Sequence, residues 1–418
     1  MKKNFITGLL SGICSSILLF AIVGTLYVMA DGKVDINRNN NSQIETQEDG
    51  QSALKSEGYK QVLDKLTFLE MLVDSYYLEN VDPKMYADGI YKGFIGSLKD
   101  PYSTYYTADE YKALMESSSG VYHGIGATVS QDVKTGVITI VKPFKKGPAY
   151  ETGLLPGDII YMVEGEEVTG VDLTEVVSKM KGKEGTKVRI SVIREGETKP
   201  MEFTITRRKI EVPTIEYQML DNKIGYIEIS EFDEVTVSQF KEAVDFLEDS
   251  GMQGLVIDVR NNPGGLLDSV CMMLDRLLPK GLLVYTEDKY GNRVEKEAED
   301  AKKIEVPLAV IINGNSASAS EIFAGAIQDY NYGTIVGTTS FGKGIVQKVI
   351  PLTDGTAVKL TISKYFTPKG RNIHGTGIAP DIEVELDEEL LKQVEIPMDK
   401  DNQLQEAIKV VEQKIKKK

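Results

Sequence analysis

The spacing of apolar residues changes several times along the chain, and each change marks a segment. From Asn4 to Ala30 there is no charged residue (NFITGLLSGICSSILLFAIVGTLYVMA). About 20 apolar residues suffice to cross a bilayer, so residues 1–30 predict an N-terminal membrane anchor. Residues 31–56 (DGKVDINRNNNSQIETQEDGQSALKS) are polar and rich in Asn and Gln, the composition of a flexible tether. From Gly58 the pattern becomes helical, with Leu63, Leu66, Leu69, Leu72, Val73, Tyr76 and Tyr77 at turn-like spacing. A second helical stretch covers Pro83 to Leu98. DPYSTYYTADEYKALME then reads as a turn and a helix. The unit 57–117 is too small to bury much by itself, so it is expected to pack on the rest of the chain or on a second copy.

From Gly120 the period shortens to two. GVYHGIGATVSQDVKTGVITIVKP alternates on either side of Lys134-Thr135-Gly136, a hairpin signal. A short helix, a turn, a strand, an amphipathic helix (LTEVVSKMKG) and a second hairpin (TKVRISVIREGETKPMEFTITRR) complete a compact mixed domain, 118–207. Beyond it, strands and helices alternate: KIGYIEIS, VSQFKEAVDFLEDSG, GLVIDVR, LLDSVCMMLDRLL, LAVIING and a helix to about Tyr330. TIVGTTS and GIVQKVIPLTDGTAVKLTISKYFTPKG supply further strands. Continuous apolar strands alternating with helices predict an α/β layer with buried parallel pairing over 208–385. The tail, 386–418, ends in an amphipathic helix from Asp401 with a cationic end.

Length and charge narrow the function. A chain of 418 residues holds several domains. Its net charge of −15 argues against a nucleic-acid partner, which needs basic surface. Lys2 and Lys3 place the N-terminus inside by the positive-inside rule. Everything after Asp31 is then expected outside the cytoplasm at the cell membrane, or secreted if Val28 and Ala30 form a signal-peptide cleavage site. The uncharged run is longer than the usual h-region, which favours the uncleaved anchor. The cysteines are Cys14 in that run and Cys271, so no internal disulfide is expected and the core must carry stability. With two His and two Cys there is no cluster of metal-ligand spacing, and no phosphate loop appears. No metal and no cofactor are expected.

NGNSASASEIFAGAIQ, from Asn313, sits where a buried strand gives way to a helix. Ser318-Ala-Ser-Glu321 fits the S-x-x-E capping box, which needs no chemistry. NNPGG, Asn261 to Gly265, follows the neighbouring buried strand. Loops after the strands of an α/β layer gather at one edge, where sites form. A Gly-Gly pair admits backbone N–H groups close to a ligand, so one N–H from this loop and that of Ala319 have the makings of an oxyanion hole. A serine nucleophile needs a base. His123, His374 and Lys343 are the candidates. Lys343 lies between two glycines in FGKGIVQ, and burial would leave such an amine neutral. Gln347, four residues on, offers an amide to orient it.

Taken together, LKDPYSTYYT, KGPAYETGLLPGDIIYMVEGEEV, VIDVRNNPGG, NGNSASASEIFAGAIQD, FGKGIVQ and GTGIAPDIEVE resemble, in this order along the chain, the carboxyl-terminal processing peptidases, or tail-specific proteases. The resemblance covers nearly everything after the tether. It implies a Clp-protease/crotonase-like α/β core with a PDZ domain at 118–207 and an N-terminal helical unit. It implies a Ser/Lys dyad with Ser318 as nucleophile, Lys343 as general base and Gln347 orienting Lys343. The oxyanion hole would be formed by Ala319 and Gly264, with Gly265 as the nearby alternative, while Ser316 and Ser320 shape the turn. The PDZ carboxylate loop would be His123-Gly124-Ile125-Gly126, receiving the C-terminus of a protein or peptide substrate by strand addition. Where the family often has Arg before Gly at the end of the PDZ helix, this chain has Lys181-Gly182, which lacks Arg's planar fork. The expected activity is a membrane-anchored, extracytoplasmic serine endopeptidase, working as a homodimer through the helical unit and the C-terminal helix. A non-catalytic PDZ adaptor on a degenerate core and a crotonase-like acyl-thioester enzyme are the alternatives.

Overall fold

The computed structural model describes residues 56–299, 304–393 and 396–417. The anchor and nearly all of the tether therefore lie outside the described residues. Among the described residues, no helix is long and apolar enough to cross a membrane.

The centre of the molecule is a sheet ordered Ile215–Met219, Ile224–Ile229, Gly254–Asp258, Leu308–Ile312, Gly333–Gly337 and Ile382–Glu383. The first pair is antiparallel and the rest run parallel. Gly254–Asp258 and Leu308–Ile312 are buried along their whole length, because helices cover both faces. On one face, Glu234–Asp249, Leu267–Leu277 and Ala319–Asp329 pack on Ile227, Ile257 and Val310. On the other, the C-terminal helix Asn402–Ile415 lays Leu404, Ala407 and Val411 on Tyr226, Val256, Ala309 and Ile311. Period-two strands thus sort one sequence into two cores, and the layer is α/β/α.

A second, antiparallel sheet stands beside this layer. Ala357–Phe366 pairs with Ile345–Pro351, with Gly281–Asp288 and with Thr104–Tyr106 from the N-terminal unit. The strands Ile345–Pro351 and Ala357–Phe366 leave the parallel layer, where the sequence pattern had placed them. The hairpin Gly281–Asp288 with Arg293–Ala298 has no counterpart in that pattern either. Its outer strand, RVEKEA, is largely exposed and carries charges instead of an apolar face.

The PDZ sheet runs Ala127–Gln131, Ile138–Pro143, Ile159–Val163, Lys187–Ile193 and Met201–Thr206, closed over its own core of Ile138, Ile140, Leu154, Val188, Ile190 and others. The segment Val121–Gly124 does not join the hairpin that its alternation suggested. It pairs with Arg208–Glu211, so the chain enters and leaves this domain on one two-stranded ribbon.

The N-terminal helices Ser56–Tyr76 and Pro83–Gly96 leave Leu63, Phe68, Leu69 and Met71 exposed, and the second helix buries none of its residues. The helix starts are set locally. Asp82 accepts from Lys84 N–H ahead of Pro83, and Thr107 and Glu110 form a reciprocal capping box on Ala108–Ser119.

At the root of the NNPGG loop, the guanidinium of Arg260 donates to Asp258 and to Asp401, with Nη2 2.6 Å from Oδ2 of each. Asp401 also caps the C-terminal helix through the N–H groups of Gln403 and Leu404. The Arg260 side chain is 13% exposed and those of its two carboxylate partners 4–5%. A pair this deep is costly to break from one side. Asp401→Ala, which leaves Asp258 in place, should destabilise the fold by up to about 3 kcal/mol, read as a lower urea midpoint.

Candidate active site

The serine turn is built by hydrogen bonds that leave one hydroxyl over. Ser316 Oγ accepts from Asn313 N–H and donates to the Val259 carbonyl at 2.8 Å. Ser320 Oγ donates to the Asn262 carbonyl at 2.9 Å. Both therefore stitch this turn to the end of the neighbouring strand. Ser318 is fully buried, and its Oγ has no hydrogen-bond partner among the described residues. The capping reading is thus half right. Glu321 does accept from Ser318 N–H at 2.8 Å, while the serine hydroxyl does not cap.

Ser318 sits at φ 56°, ψ −112°. That is a strained conformation for a residue with a Cβ, costing of order 1–3 kcal/mol, and such strain persists only where the surroundings enforce it. The enforcement is visible. The Tyr365 hydroxyl donates to the Ser318 carbonyl at 3.1 Å. Glu321, itself fully buried, holds the N–H from the other side.

The same Glu321 carboxylate holds the lysine loop. Its Oε2 accepts from Lys343 N–H at 2.8 Å, and its Oε1 accepts from Gly342 N–H at 2.7 Å and from Ser340 Oγ at 2.6 Å. One side chain therefore fixes the backbone of both Ser318 and Lys343. Burial pushes the Glu321 carboxyl upward, and the four donors around it oppose the rise.

Lys343 is buried, with its Nζ 4.8 Å from the centre of the Tyr102 ring. Burial lowers its ammonium to about 8, assisted by the nearby charge of Lys359 and resisted by Glu321 and Asp100. Lys359 is likewise buried, and that burial brings it down to about 8. Gln347 is 1% exposed. Its Nε2 donates to Thr361 Oγ1 at 3.4 Å, next to a bulge in the strand Ile345–Pro351.

The loop after Gly254–Asp258 is held by Asn262. Its side chain donates to the Ile229 carbonyl and accepts from Gly264 N–H at 2.8 Å, and its carbonyl takes Ala317 N–H. Gly264 lies against the serine turn at φ +113°. A Cβ there would stand 2.8 Å from Ser318 Cβ and 3.0 Å from Ala319 N. Gly265, at φ +143°, bridges to Phe232, whose carbonyl a Cβ would meet at 2.4 Å. Neither position tolerates a side chain, and Gly264 is carried up to Ser318 and Ala319 while Gly265 lies against Phe232.

The histidines are elsewhere. His123 is exposed on the PDZ ribbon, its Nε2 3.8 Å from Glu184, and His374 is exposed beside Gly344. Cys271 is buried, and burial pushes its thiol up to about 12, so it is an inert core residue. In the PDZ loop, Ile125 packs into that domain's core while Gly126 turns at φ +75°. The N–H groups of Gly126 and Ala127 face the hydroxyl of Tyr122. Lys181 stands over the Tyr122 ring and pairs with Glu116 of the helical unit at 3.1 Å.

Three family models match this chain. Peptidase family S41 matches residues 223–384, the PDZ domain residues 123–205, and the activating protease CtpB N-terminal domain residues 19–110. The carboxy-terminal processing protease CtpA of Bacillus subtilis (strain 168) is 39% identical over 324 residues, which cover 77% of this chain and 69% of the relative. The chain belongs to the carboxy-terminal processing proteases of peptidase family S41. The corresponding protease of Bartonella bacilliformis is 38% identical over 335 residues, 78% of this chain and 76% of that one. A putative S41 protease from Bacteroides fragilis agrees in fold, at TM-score 0.51 and 18% identity over 81% of this chain and 91% of that one.

Family membership makes the chain a serine-type peptidase with a PDZ domain and sets aside the adaptor and acyl-thioester readings. The S41 match contains Ser318, Lys343, Gln347 and the NNPGG loop, and the PDZ match contains His123 to Gly126.

A buried amine that resists protonation costs stability. Lys343→Met keeps the length and removes the charge, so it should stabilise the fold by about 1–3 kcal/mol. Thermal and urea unfolding of the two proteins check this.

Proposed function

We propose that this carboxy-terminal processing protease cuts with a Ser318/Lys343 dyad, as a membrane-anchored, extracytoplasmic homodimer that receives substrate C-termini on its PDZ loop. The observation that carries the reading is the single buried carboxylate of Glu321, bonded to the backbone of both Ser318 and Lys343.

The chemistry is acyl transfer. Neutral Lys343 takes the Ser318 proton as Oγ adds to a scissile carbonyl, and the ammonium so formed returns the proton to the leaving amine. Water then releases the acyl-enzyme by the same route. Gln347 orients the amine without adding charge. The Ala319 N–H and a second N–H from Gly264 or Gly265 hold the oxyanion. Gly264 N–H donates to Asn262 in this state, so it serves if substrate draws it away, and otherwise Gly265 is the donor. Ser318 Oγ is likewise not hydrogen-bonded to Lys343 here, and the contact tightens on substrate binding, as catalytic hydrogen bonds of free enzymes commonly do.

The uncharged run Asn4 to Ala30 and the charge of Lys2 and Lys3 support the anchor and its orientation. The exposed Leu63, Phe68, Leu69 and Met71 support a second copy as the cover of the N-terminal helices.

Ser318→Ala and Lys343→Ala should each abolish cleavage of a tailed peptide with the fold intact, and Gln347→Ala should lower it less. Full activity in Lys343→Ala contradicts the dyad. Activity needs the neutral amine, so kcat/KM should rise with pH through about 8, the value to which burial lowers Lys343, and be lost below it. Light scattering should give twice the chain mass, and a monomer at micromolar concentration contradicts the dimer.

A further inference from the structure

The wall that covers Lys343 comes from a different unit of the protein. The segment Asp100 to Tyr106 leaves the N-terminal helices and runs along the strand Ala357–Phe366. Thr104, Tyr105 and Tyr106 pair with Lys359, Val358 and Ala357. One residue earlier, Ser103 Oγ accepts from Thr361 N–H at 3.0 Å and donates to Asp100 at 2.6 Å. Asp100 also takes Tyr102 N–H at 3.0 Å. Tyr105 packs at a tilt, 5.2 Å between ring centres, against Tyr91 of the helix Pro83–Gly96, which ties the segment back to its own unit. Tyr102 is thus pinned on both sides, and its ring comes to 4.8 Å from Lys343 Nζ. The same strand reaches the amide of Gln347 through Thr361.

We propose that Tyr102 is a positioning residue of the active site, a cover that keeps water from the Lys343 amine, so that the base is completed only when the Asp100–Tyr106 segment is docked. This rests on the dyad reading above. Tyr102 takes no part in the proton transfer and acts through Lys343.

Two effects of the ring oppose each other. Its face attracts an ammonium by about 0.5–2 kcal/mol, which favours the charged lysine. Its bulk excludes the water that an ammonium needs, which favours the neutral one. The other groups facing the amine are Lys359 from the neighbouring strand, Glu321 from the serine helix and Asp100 from the covering segment. The two carboxylates and Lys359 act in opposite directions, and burial is the largest influence on Lys343. The ring lies 4.8 Å from an amine in a residue only 4% exposed, so removing it lets water reach the amine and favours its charged form.

The test is the pH dependence of kcat/KM, and of Ser318 acylation by a fluorophosphonate probe, in the full chain. Tyr102→Phe should match the parent, since only the ring is used. Tyr102→Ala should move the acid limb of both profiles upward by about one pH unit or more, towards an ordinary lysine. Ser103→Ala, which loosens the segment without touching the amine, should move it in the same direction by less. Melting curves establish that each variant is folded, and if Tyr102→Ala is not, Ser103→Ala decides. Profiles of Tyr102→Ala and Ser103→Ala that superimpose on the parent overturn the proposal. Lys343→Ala run beside them separates the two readings. If it is still acylated with the parent's profile, the dyad itself is wrong. If it is dead while the Tyr102 and Ser103 profiles stay put, only the cover is.

Discussion

A carboxylate with no water around it must find donors, and Glu321 finds them in two different loops. It binds the N–H of Ser318 on one side and those of Gly342 and Lys343, with Ser340 Oγ, on the other. The rest of the site follows from that requirement. The serine turn cannot relax from its strained φ without stripping the carboxylate of a donor. The FGKGIVQ loop cannot swing out to solvent without stripping it of three. Lys343 is therefore held where its ammonium is poorly solvated, and that burial lowers it well below a surface lysine.

The site is a meeting of units as much as a feature of the core. The parallel sheet brings the NNPGG loop and the serine turn to one edge, and Asn262 locks them together through its side chain and its carbonyl. The antiparallel sheet brings Gln347, Thr361 and Lys359 alongside. The N-terminal unit supplies Tyr102 as a roof. The PDZ domain is hung on the ribbon Val121–Gly124 with Arg208–Glu211, and Lys142–Glu216 and Lys181–Glu116 link it to the core and to the helical unit. These surface pairs are individually weak, which suits a domain that must admit a peptide beside it.

Much of this was legible in the chain. The alternation of buried strands with helices from Ile224 to Gly337 reads as an α/β layer, because strands covered on both faces are apolar throughout, while Ile345–Pro351 and Ala357–Phe366, read into the same layer, belong to the antiparallel sheet. The six motifs, each weak alone, fix the family by their order, and a separation of 25 residues between Ser318 and Lys343 belongs to that pattern. Glu321 was visible as a capping residue, but a capping box explains one hydrogen bond and says nothing of the three that reach Ser340, Gly342 and Lys343. Those contacts span a stretch of chain that no local pattern measures. Asn262 is hidden for the same reason, since its partners are Ile229 and the serine turn. Tyr102 lies in the family motif LKDPYSTYYT, and only the pairing of Thr104–Tyr106 with Ala357–Lys359 reveals what it stands over. The hairpin 281–298 escaped because its outer strand carries charge on an open surface, where β-structure has no apolar alternation to betray it.

The central claim is that burial lowers the Lys343 amine well below an ordinary lysine. Its most direct test is an NMR titration of the amine in the intact protein with isotope-labelled lysine, using Lys343→Arg to assign the signal. A midpoint near the value of about 8 that burial gives Lys343 is the expected result. A midpoint at the ordinary lysine value of about 10.4 would contradict it.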